Sequence, residues 1–227
     1  SIDAALARVW DVEFEPVANV GGSDGGLVRV DHVAQTMNYE EMLTWLLFYT
    51  AIFRTTKSPM VDVVDPSGLV RSQVVESDAI RGGERRLRLT LNGAENSRTL
   101  AGHFIAESFG SSVQHIAFAS SDIFETADRM AALGFQPLEI TPNYYDDLEA
   151  RFGLDPAMAE RLRLRNILYD RDDQGEFFQF YGRNFGEGFF FEIIERRGDY
   201  RGYGAPNAPF RIAAQKRAIR PRGMPRI

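Results

Sequence analysis

The chain has 227 residues, of which 44% are hydrophobic, so it is long and apolar enough to fill a sizeable core and is not a disordered protein. Its net charge of −6 argues against a nucleic-acid partner, because proteins that bind phosphate backbones usually carry a basic face. It has no cysteine, which excludes disulfides, thiolate catalysis and Cys-ligated metals. No apolar run approaches the roughly 20 residues that cross a bilayer, so we expect a cytoplasmic protein without a membrane partner.

Residues 1–25 open the chain without an obvious repeat partner and end in a glycine-rich stretch. We interpret them as a linker and the remnant of a preceding module. A covalently linked N-terminal domain is therefore expected in the full-length protein.

An internal repeat organises the following chain. Residues 30–34 (VDHVA) recur at residues 113–117 (VQHIA), an offset of 115 − 32 = 83 residues. Both copies are predicted strands, and each is followed by an amphipathic helix, at residues 42–53 and 127–133. Ser121 is expected to open the second helix and Gly134 to close it.

Three strand-like runs follow each predicted helix, so the pattern is βαβββ twice. The runs cover residues 61–64, 69–75, 86–92, 167–170, 176–181 and 189–194, with further helices expected at residues 96–109, 142–152, 156–162 and 208–218. The predicted fold class is α+β, with two βαβββ modules forming a half-open mixed sheet around a metal site. We expect the first module over residues 26–110 and the second, ending in a lid helix, over residues 111–227.

Two of the three histidines, His32 and His115, occupy the same place in the two repeats. A single histidine in a strand is usually a structural residue with a backbone partner, but a repeated pair favours metal binding. Glu192 is the one acid in the run FFFEII, and an ionised carboxylate there needs a partner or a cation; the alternative is an outward-facing residue on an edge strand. His103 has no repeat partner and is predicted to be a surface or helix-packing residue.

Two histidines and one carboxylate are typical of non-haem Fe(II) sites with open coordination positions. Fe(II) is therefore the predicted cofactor, although the ligand types leave Mg, Mn, Co and Zn open. The Arg-rich end at residues 211–222 predicts a solvated helix face and tail. Residues 198–204 are glycine-rich but lack the strand-to-helix context of a phosphate-binding loop.

The three candidate ligand segments resemble those of 4-hydroxyphenylpyruvate dioxygenase, a family of the vicinal oxygen chelate (glyoxalase-dioxygenase-like) superfamily. They are VDHV around His32, VQHIAF around His115 and FEIIER around Glu192. The resemblance runs from about residue 28 to residue 218. It implies an Fe(II) dioxygenase that acts on a 2-oxo acid or related small acid and O₂.

The resemblance also implies a set of substrate-binding residues, namely Ser72, Asn92, Gln114, Gln179, Tyr181 and Asn207. One part of the pattern departs from the family. Where the family has two phenylalanines that clamp the substrate ring, this chain has Tyr181 and Ala208. Hydroxyphenylpyruvate is therefore not the expected substrate.

A closer resemblance involves bacterial fusion proteins in which a 3-dehydroshikimate dehydratase barrel precedes a dioxygenase-like half. The segments YEEMLTW (residues 39–45), DPSGLV (65–70), NYYDDL (143–148) and NILYDR (166–171) carry it. The alternative function is thus a catalytically idle metal-binding module that stabilises or regulates such a barrel. The sequence leaves homo-oligomerisation open.

Overall fold

The computed structural model describes residues 24–78 and 86–219, together with residues 8, 9, 12–15 and 22. Most of the expected N-terminal segment and residues 220–227 of the expected tail lie outside these ranges. The division at residues 25 and 110 stays a prediction.

Nine strands of the described chain form one mixed sheet in the order β2-β4-β5-β1-β6-β9-β8-β7, with β3 paired to β4. They are β1 (Leu27–Asn38), β2 (Thr55–Lys57), β3 (Val61–Asp65), β4 (Gly68–Ser77), β5 (Arg88–Ala94), β6 (Ser112–Ser120), β7 (Leu168–Arg171), β8 (Gly175–Tyr181) and β9 (Phe190–Gly198). The pairs β1–β5 and β6–β9 are parallel, and the others are antiparallel. This curled sheet confirms the predicted fold class.

Six α-helices lie within the described residues: α1 (Met42–Phe53), α2 (Leu100–Glu107), α3 (Ile123–Ala132), α4 (Pro142–Phe152), α5 (Pro156–Arg163) and α6 (Ala208–Ile219). A short 3-10 turn, Ala205–Asn207, leads into α6. No helix in this part of the chain is long and apolar enough to cross a membrane.

The start of α3 differs from the prediction by one residue. Asp122, rather than Ser121, is the N-cap, and its carboxylate accepts hydrogen bonds from the backbone N–H groups of Phe124 and Glu125 at 3.0 Å. An ionised oxygen there satisfies two otherwise free donors and favours the positive end of the helix. Gly134 follows the helix with φ 90°, as a C-terminal glycine does.

The larger core cluster belongs to the second repeat, where aromatic residues of α3, α4, β7 and β8 pack together. The first repeat has a smaller cluster between α1, β1, β4 and β5. Met37 of β1 belongs to the smaller cluster, and Ala117 and Ala119 of β6 pack in a third cluster with Phe177 and Ile194. The strands β1 and β6 carry the two repeated histidines.

Candidate metal centre

The repeated histidines meet because β1 and β6 pair about a local twofold axis. In the antiparallel register Ala34 lies opposite His115, and His32 lies opposite Ala117. These two pairs are equivalent under the 83-residue repeat. Opposite residues of a strand pair point to the same face of the sheet, so both imidazoles project from one face, with ring centroids 5.6 Å apart.

A β-bulge precedes each histidine. Between Val30 and His32 the register advances two residues on β1 and one on β6, so Asp31 is the extra residue. The same shift occurs on β6, where Gln114 is the extra residue. Bulges re-aim side chains and are common beside functional sites. They bring Asp31 and Gln114, which are also related by the repeat, close to the histidine that each precedes.

Glu192 completes the group from the neighbouring strand β9, where it pairs in register with Ala117. Its Oε2 atom lies 3.4 Å from Nε2 of His32 and 3.4 Å from Nε2 of His115. One ligand atom from each residue lies within 4.8 Å of the other two, and all three side chains are buried. Within the described residues, Glu192 Oε1 has no hydrogen-bond partner. A buried carboxylate with one oxygen facing two imidazole nitrogens and the other without a donor fits a bound cation.

Asp31 orients His32 from behind. Its Oδ2 lies 3.0 Å from Nδ1 of His32, and its carboxylate also contacts Arg88 at 2.9 Å and Arg196 at 3.1 Å. Burial alone would raise the pKa of Asp31, but the hydrogen bond with His32 and the charge of Arg196 hold it well below the usual value. Since Asp31 is ionised, Nδ1 of His32 donates, and Nε2 is left to bind a metal.

The pKa values of the two histidines are shifted in opposite directions. Burial disfavours the charged form of His32, but hydrogen bonds to Asp31 and Glu192 raise its pKa. Burial, followed by the charges of His32 and Arg211, lowers the pKa of His115 well below its ordinary value. The shift of His115 favours the neutral imidazole, which is the form that binds a metal, whereas the contacts of His32 favour its protonated form.

The last strand of the second repeat, β9, supplies the acid Glu192, but the last strand of the first repeat, β5, has no acid at the equivalent position. In the parallel β1–β5 pair, Thr90 lies beside Ala34 as Glu192 lies beside Ala117. Thr90 is thus the counterpart of Glu192. Its buried hydroxyl has no hydrogen-bond partner in the described part of the chain. The first repeat therefore places a hydroxyl, not an acid, at the position where the second repeat has its candidate metal ligand.

Three of the predicted substrate residues form a row across the same face. Ser72 pairs with Asn92, Asn92 pairs with Thr36, and Thr36 Oγ1 donates to Gln114 Oε1 at 2.7 Å. This row crosses β4, β5, β1 and β6, about one pleat from the histidines. The structure therefore brings Ser72, Asn92 and Gln114 to one side of the candidate metal centre.

Gln179 and Tyr181 lie on the other side, on β8, where Tyr181 pairs with Glu192. Gln179 Nε2 donates to the Tyr181 hydroxyl at 2.7 Å, while Gln179 Oε1 has no partner among the described residues. Burial, followed by the charge of Glu192, raises the pKa of Tyr181 well above 10, so its hydroxyl stays protonated. Gly204 (φ 60°) is needed beside them, because a Cβ atom there would lie 2.1 Å from Gln179 Oε1.

Asn207 is fully buried and already has partners for its side chain. Its Oδ1 accepts from the Tyr144 hydroxyl at 2.9 Å, and its Nδ2 donates to the Tyr169 carbonyl at 3.2 Å. These contacts fix the start of α6 on the second module. Ala208, the next residue, begins that helix and is partly buried.

Two cavities are lined by Gln114, the residue that precedes His115. The larger has a volume of about 510 Å³ and is bounded mainly by α2, α6 and the turn at residues 184–188. A smaller one of about 50 Å³ is lined by Asn92 and Arg211. Leu100 and Gln114 line both, so the two abut there. Neither cavity is lined by the three candidate ligands, which are covered on one side by Tyr203, in edge contact with His32 at 5.2 Å.

Sequence reasoning missed two residues of this region. The carboxylate directly before His32 was a signal for Asp31, since metal-binding histidines commonly contact an acid through the other ring nitrogen. The prediction of a solvated face at the Arg-rich end is wrong for Arg211, which is partly buried with its guanidinium over the rings of Tyr181 and Phe190. Its surroundings come from strands distant in sequence, so no local pattern indicates them.

Comparisons with known proteins agree with this geometry. A family model described as "Glyoxalase/Bleomycin resistance protein/Dioxygenase superfamily" matches residues 29–160. A 3-dehydroshikimate dehydratase from Pseudomonas putida is 42% identical over 211 residues, which cover 92% of this chain and 32% of that protein. A 4-hydroxyphenylpyruvate dioxygenase from Pseudomonas aeruginosa is 27% identical, covering 88% of this chain and 55% of that protein.

Two solved structures are also similar. One is a xylose isomerase-like TIM barrel/4-hydroxyphenylpyruvate dioxygenase fusion protein, at 42% identity and a TM-score of 0.75, covering 93% of this chain and 32% of that one. The other is a mutant 4-hydroxymandelate synthase from Streptomyces coelicolor, at 26% identity and a TM-score of 0.76, covering 89% of this chain and 57% of that one. This chain spans about a third of the length of its 42%-identical relatives. The resemblances found in the sequence are confirmed: the chain belongs to the glyoxalase/bleomycin resistance protein/dioxygenase superfamily and is homologous to the dioxygenase-like part of these fusion proteins.

Proposed function

We propose that the chain is a non-haem Fe(II)-type dioxygenase domain that acts on a 2-oxo acid or a related small acid. The observation that supports this most directly is the buried group of His32, His115 and Glu192, with Glu192 Oε1 left without a hydrogen-bond partner in the described residues. Such a ligand set leaves coordination positions open for substrate and O₂. The kinship with 4-hydroxyphenylpyruvate dioxygenases supports the same reaction class.

His32, His115 and Glu192 would hold the ion, and a bound Fe(II) would supply O₂ chemistry and Lewis acidity. The protein's own residues would do the positioning. Asp31 keeps the proton of His32 on Nδ1 and so aims Nε2 at the ion. Asn92 and Gln114 line the smaller cavity and would offer polar contacts to a substrate there. Helix α6, which also lines that cavity, would act as a lid that limits water.

Metal analysis and oxygen uptake test the proposal together. Protein purified without chelator should contain about one divalent ion per chain, and Fe(II)-loaded protein should consume O₂ with at least one member of a 2-oxo acid panel. Glu192→Gln should lose both the ion and the uptake because it removes the only anionic ligand. Glu149→Gln, an exposed change on α4, should alter neither. Uptake that survives in Glu192→Gln would refute the assignment of the site.

The second candidate is a metal-binding module without its own turnover that stabilises an attached dehydratase barrel. The apolar outer face of α1 favours it, because Leu43, Leu47 and Ile52 are between 60% and 64% exposed. Exposed apolar patches of this kind mark interaction surfaces. The fusion architecture of the 42%-identical structure supplies a candidate partner. The cytoplasmic location and any homo-oligomer stay predictions.

One comparison separates the two candidates. For the dioxygenase, O₂ uptake should appear with some 2-oxo acid, and changing Leu47→Asp on α1 should leave it intact. For the idle module, metal should bind without uptake, and Leu47→Asp in the full-length protein should lower the stability or the dehydratase activity of the barrel.

A further inference from the structure

Arg211 brings a positive charge to the edge of the candidate metal centre. It lies in the first turn of α6, and its Cζ atom is 5.2 Å from the ring centroid of Phe190 and 5.6 Å from that of Tyr181. Phe190 in turn stacks on His115 with centroids 4.8 Å apart. The influence of the guanidinium reaches His115, whose pKa it helps to lower. A permanent cation thus lies one aromatic ring away from a candidate ligand.

The other partly buried arginines of the described chain have acidic partners. Each forms an ion pair with Asp or Glu; they are Arg71, Arg88, Arg165, Arg196 and Arg197. Arg211 is partly buried too, but within the described ranges no carboxylate lies within 4.0 Å of its guanidinium. A partly desolvated guanidinium usually has an anionic partner, because the loss of hydration must be offset.

The guanidinium is held in place by neutral groups. Arg211 Nη1 donates to Gln215 Oε1 at 2.7 Å, and Gln215 Nε2 donates to Asn184 Oδ1 at 3.1 Å. Gln215 itself is buried. These bonds, together with a hydrogen bond to the Tyr181 side chain, fix the direction of the guanidinium. A guanidinium has five N–H donors, more than these neutral partners occupy within the described residues. Arg211 also lines the 50 Å³ cavity together with Asn92 and Gln114.

We propose that Arg211 binds a carboxylate of the substrate other than the one at the metal, so that the pocket selects small dicarboxylic acids. A guanidinium matches a carboxylate through two parallel charge-assisted hydrogen bonds. Counting charges supports a second anionic group. A divalent ion and Glu192 sum to +2 − 1 = +1, which the chelating carboxylate neutralises. Arg211 then remains as a further cation that no carboxylate of the described residues pairs with, and a second substrate carboxylate would balance it.

This inference rests on the proposed function, so its test uses binding rather than turnover. Isothermal titration of Zn-loaded protein would compare 2-oxoglutarate with 2-oxopentanoate, two five-carbon 2-oxo acids that differ in a terminal carboxylate or methyl group. We expect roughly 10- to 100-fold tighter binding of 2-oxoglutarate. Arg211→Met should abolish this preference and leave 2-oxopentanoate affinity nearly unchanged. Arg217→Met, an exposed change on the same helix, should keep the preference.

A second pair of probes separates the two possible failures. Glutarate and pentanoate lack the 2-oxo group, and titrating them into metal-free protein tests Arg211 without chelation. If 2-oxopentanoate binds the Zn-loaded protein but the added carboxylate gives no advantage, the Arg211 site is refuted while the proposed function survives. If neither 2-oxo acid binds but glutarate shows an Arg211-dependent advantage over pentanoate, the carboxylate site stands and the 2-oxo acid substrate class falls. An absence of binding by all four acids overturns both.

Discussion

The ammonium group of Lys216 lies 2.6 Å from Oδ1 of Asp65, which joins helix α6 to the β3–β4 turn of the first repeat. Asp65 is buried and also accepts hydrogen bonds from the backbone N–H groups of Ser67 and Leu100. Burial would raise the pKa of Asp65, but Lys216 and these two donors lower it. One carboxylate therefore connects α6, the turn and the start of α2.

Lys216→Met should weaken this connection. We expect a loss of roughly 1–2 kcal/mol in the free energy of unfolding at pH 7, since a charge-assisted hydrogen bond is lost at a partly exposed site. Because the folded-state pKa of Asp65 is depressed, the contribution is fully present above about pH 4 and disappears as the pH falls through the folded value. Urea denaturation at pH 7 and pH 2.5 should show a gap between wild type and variant that narrows in acid. Lys57→Met, an exposed change on β2, serves as the control.

Asp31→Asn should reduce metal affinity by roughly 10- to 100-fold, because the amide no longer fixes the tautomer and direction of His32. The measurement is Zn²⁺ or Co²⁺ titration against a competing chelator. Asp62→Asn removes an exposed acid on β3 and should leave the affinity unchanged. Equal affinities for Asp31→Asn and wild type would mean that the buried Asp31 acts only on Arg88 and Arg196.

His115→Ala should cost metal affinity far more than it costs the fold, because the strands that carry the ligands have their own apolar packing. Phe190→Ala, by contrast, removes a ring that is only 1% exposed and should destabilise the domain by about 3–5 kcal/mol. Thermal melts with and without added metal distinguish the two effects, and Phe185→Ala, at an exposed ring, is the matched control. Complete unfolding of His115→Ala would instead mark the metal as structural.

Turnover of 4-hydroxyphenylpyruvate should be well below that of an authentic family member. An aromatic pair contributes roughly 0.5–1.5 kcal/mol beyond buried area, and Ala208 offers no ring to a bound phenyl group. Tyr181, at the other clamp position, is hydrogen-bonded to Gln179. Oxygen uptake with Fe(II), ascorbate and 4-hydroxyphenylpyruvate tests this expectation. Robust formation of homogentisate would show that Tyr181 or another ring rebuilds the clamp.

Much of the architecture could be predicted because the signals are local. The VDHVA and VQHIA repeat predicts two equivalent strands, and apolar periodicity predicts α1, α4 and α6 within a few residues of their observed bounds. The start of α3 was one residue off, since Ser121 and Asp122 are both good N-caps and only the backbone path decides between them. The 3-residue strand β2 escaped prediction because its pairing with β4 comes from tertiary contacts.

The sequence by itself determined the repeated histidines, the single acid in a phenylalanine-rich strand and the βαβββ pattern, since each depends on residue type and spacing along one segment. The tertiary structure alone decided that Asp31 and Gln114 are bulge residues, that Thr90 is the counterpart of Glu192, and that Arg211 turns inward. The physical reason is that strand register and helix docking result from contacts between segments many residues apart. The residue types along one segment do not reveal these long-range contacts. The charged groups that surround His32 and His115 are a result of the same packing.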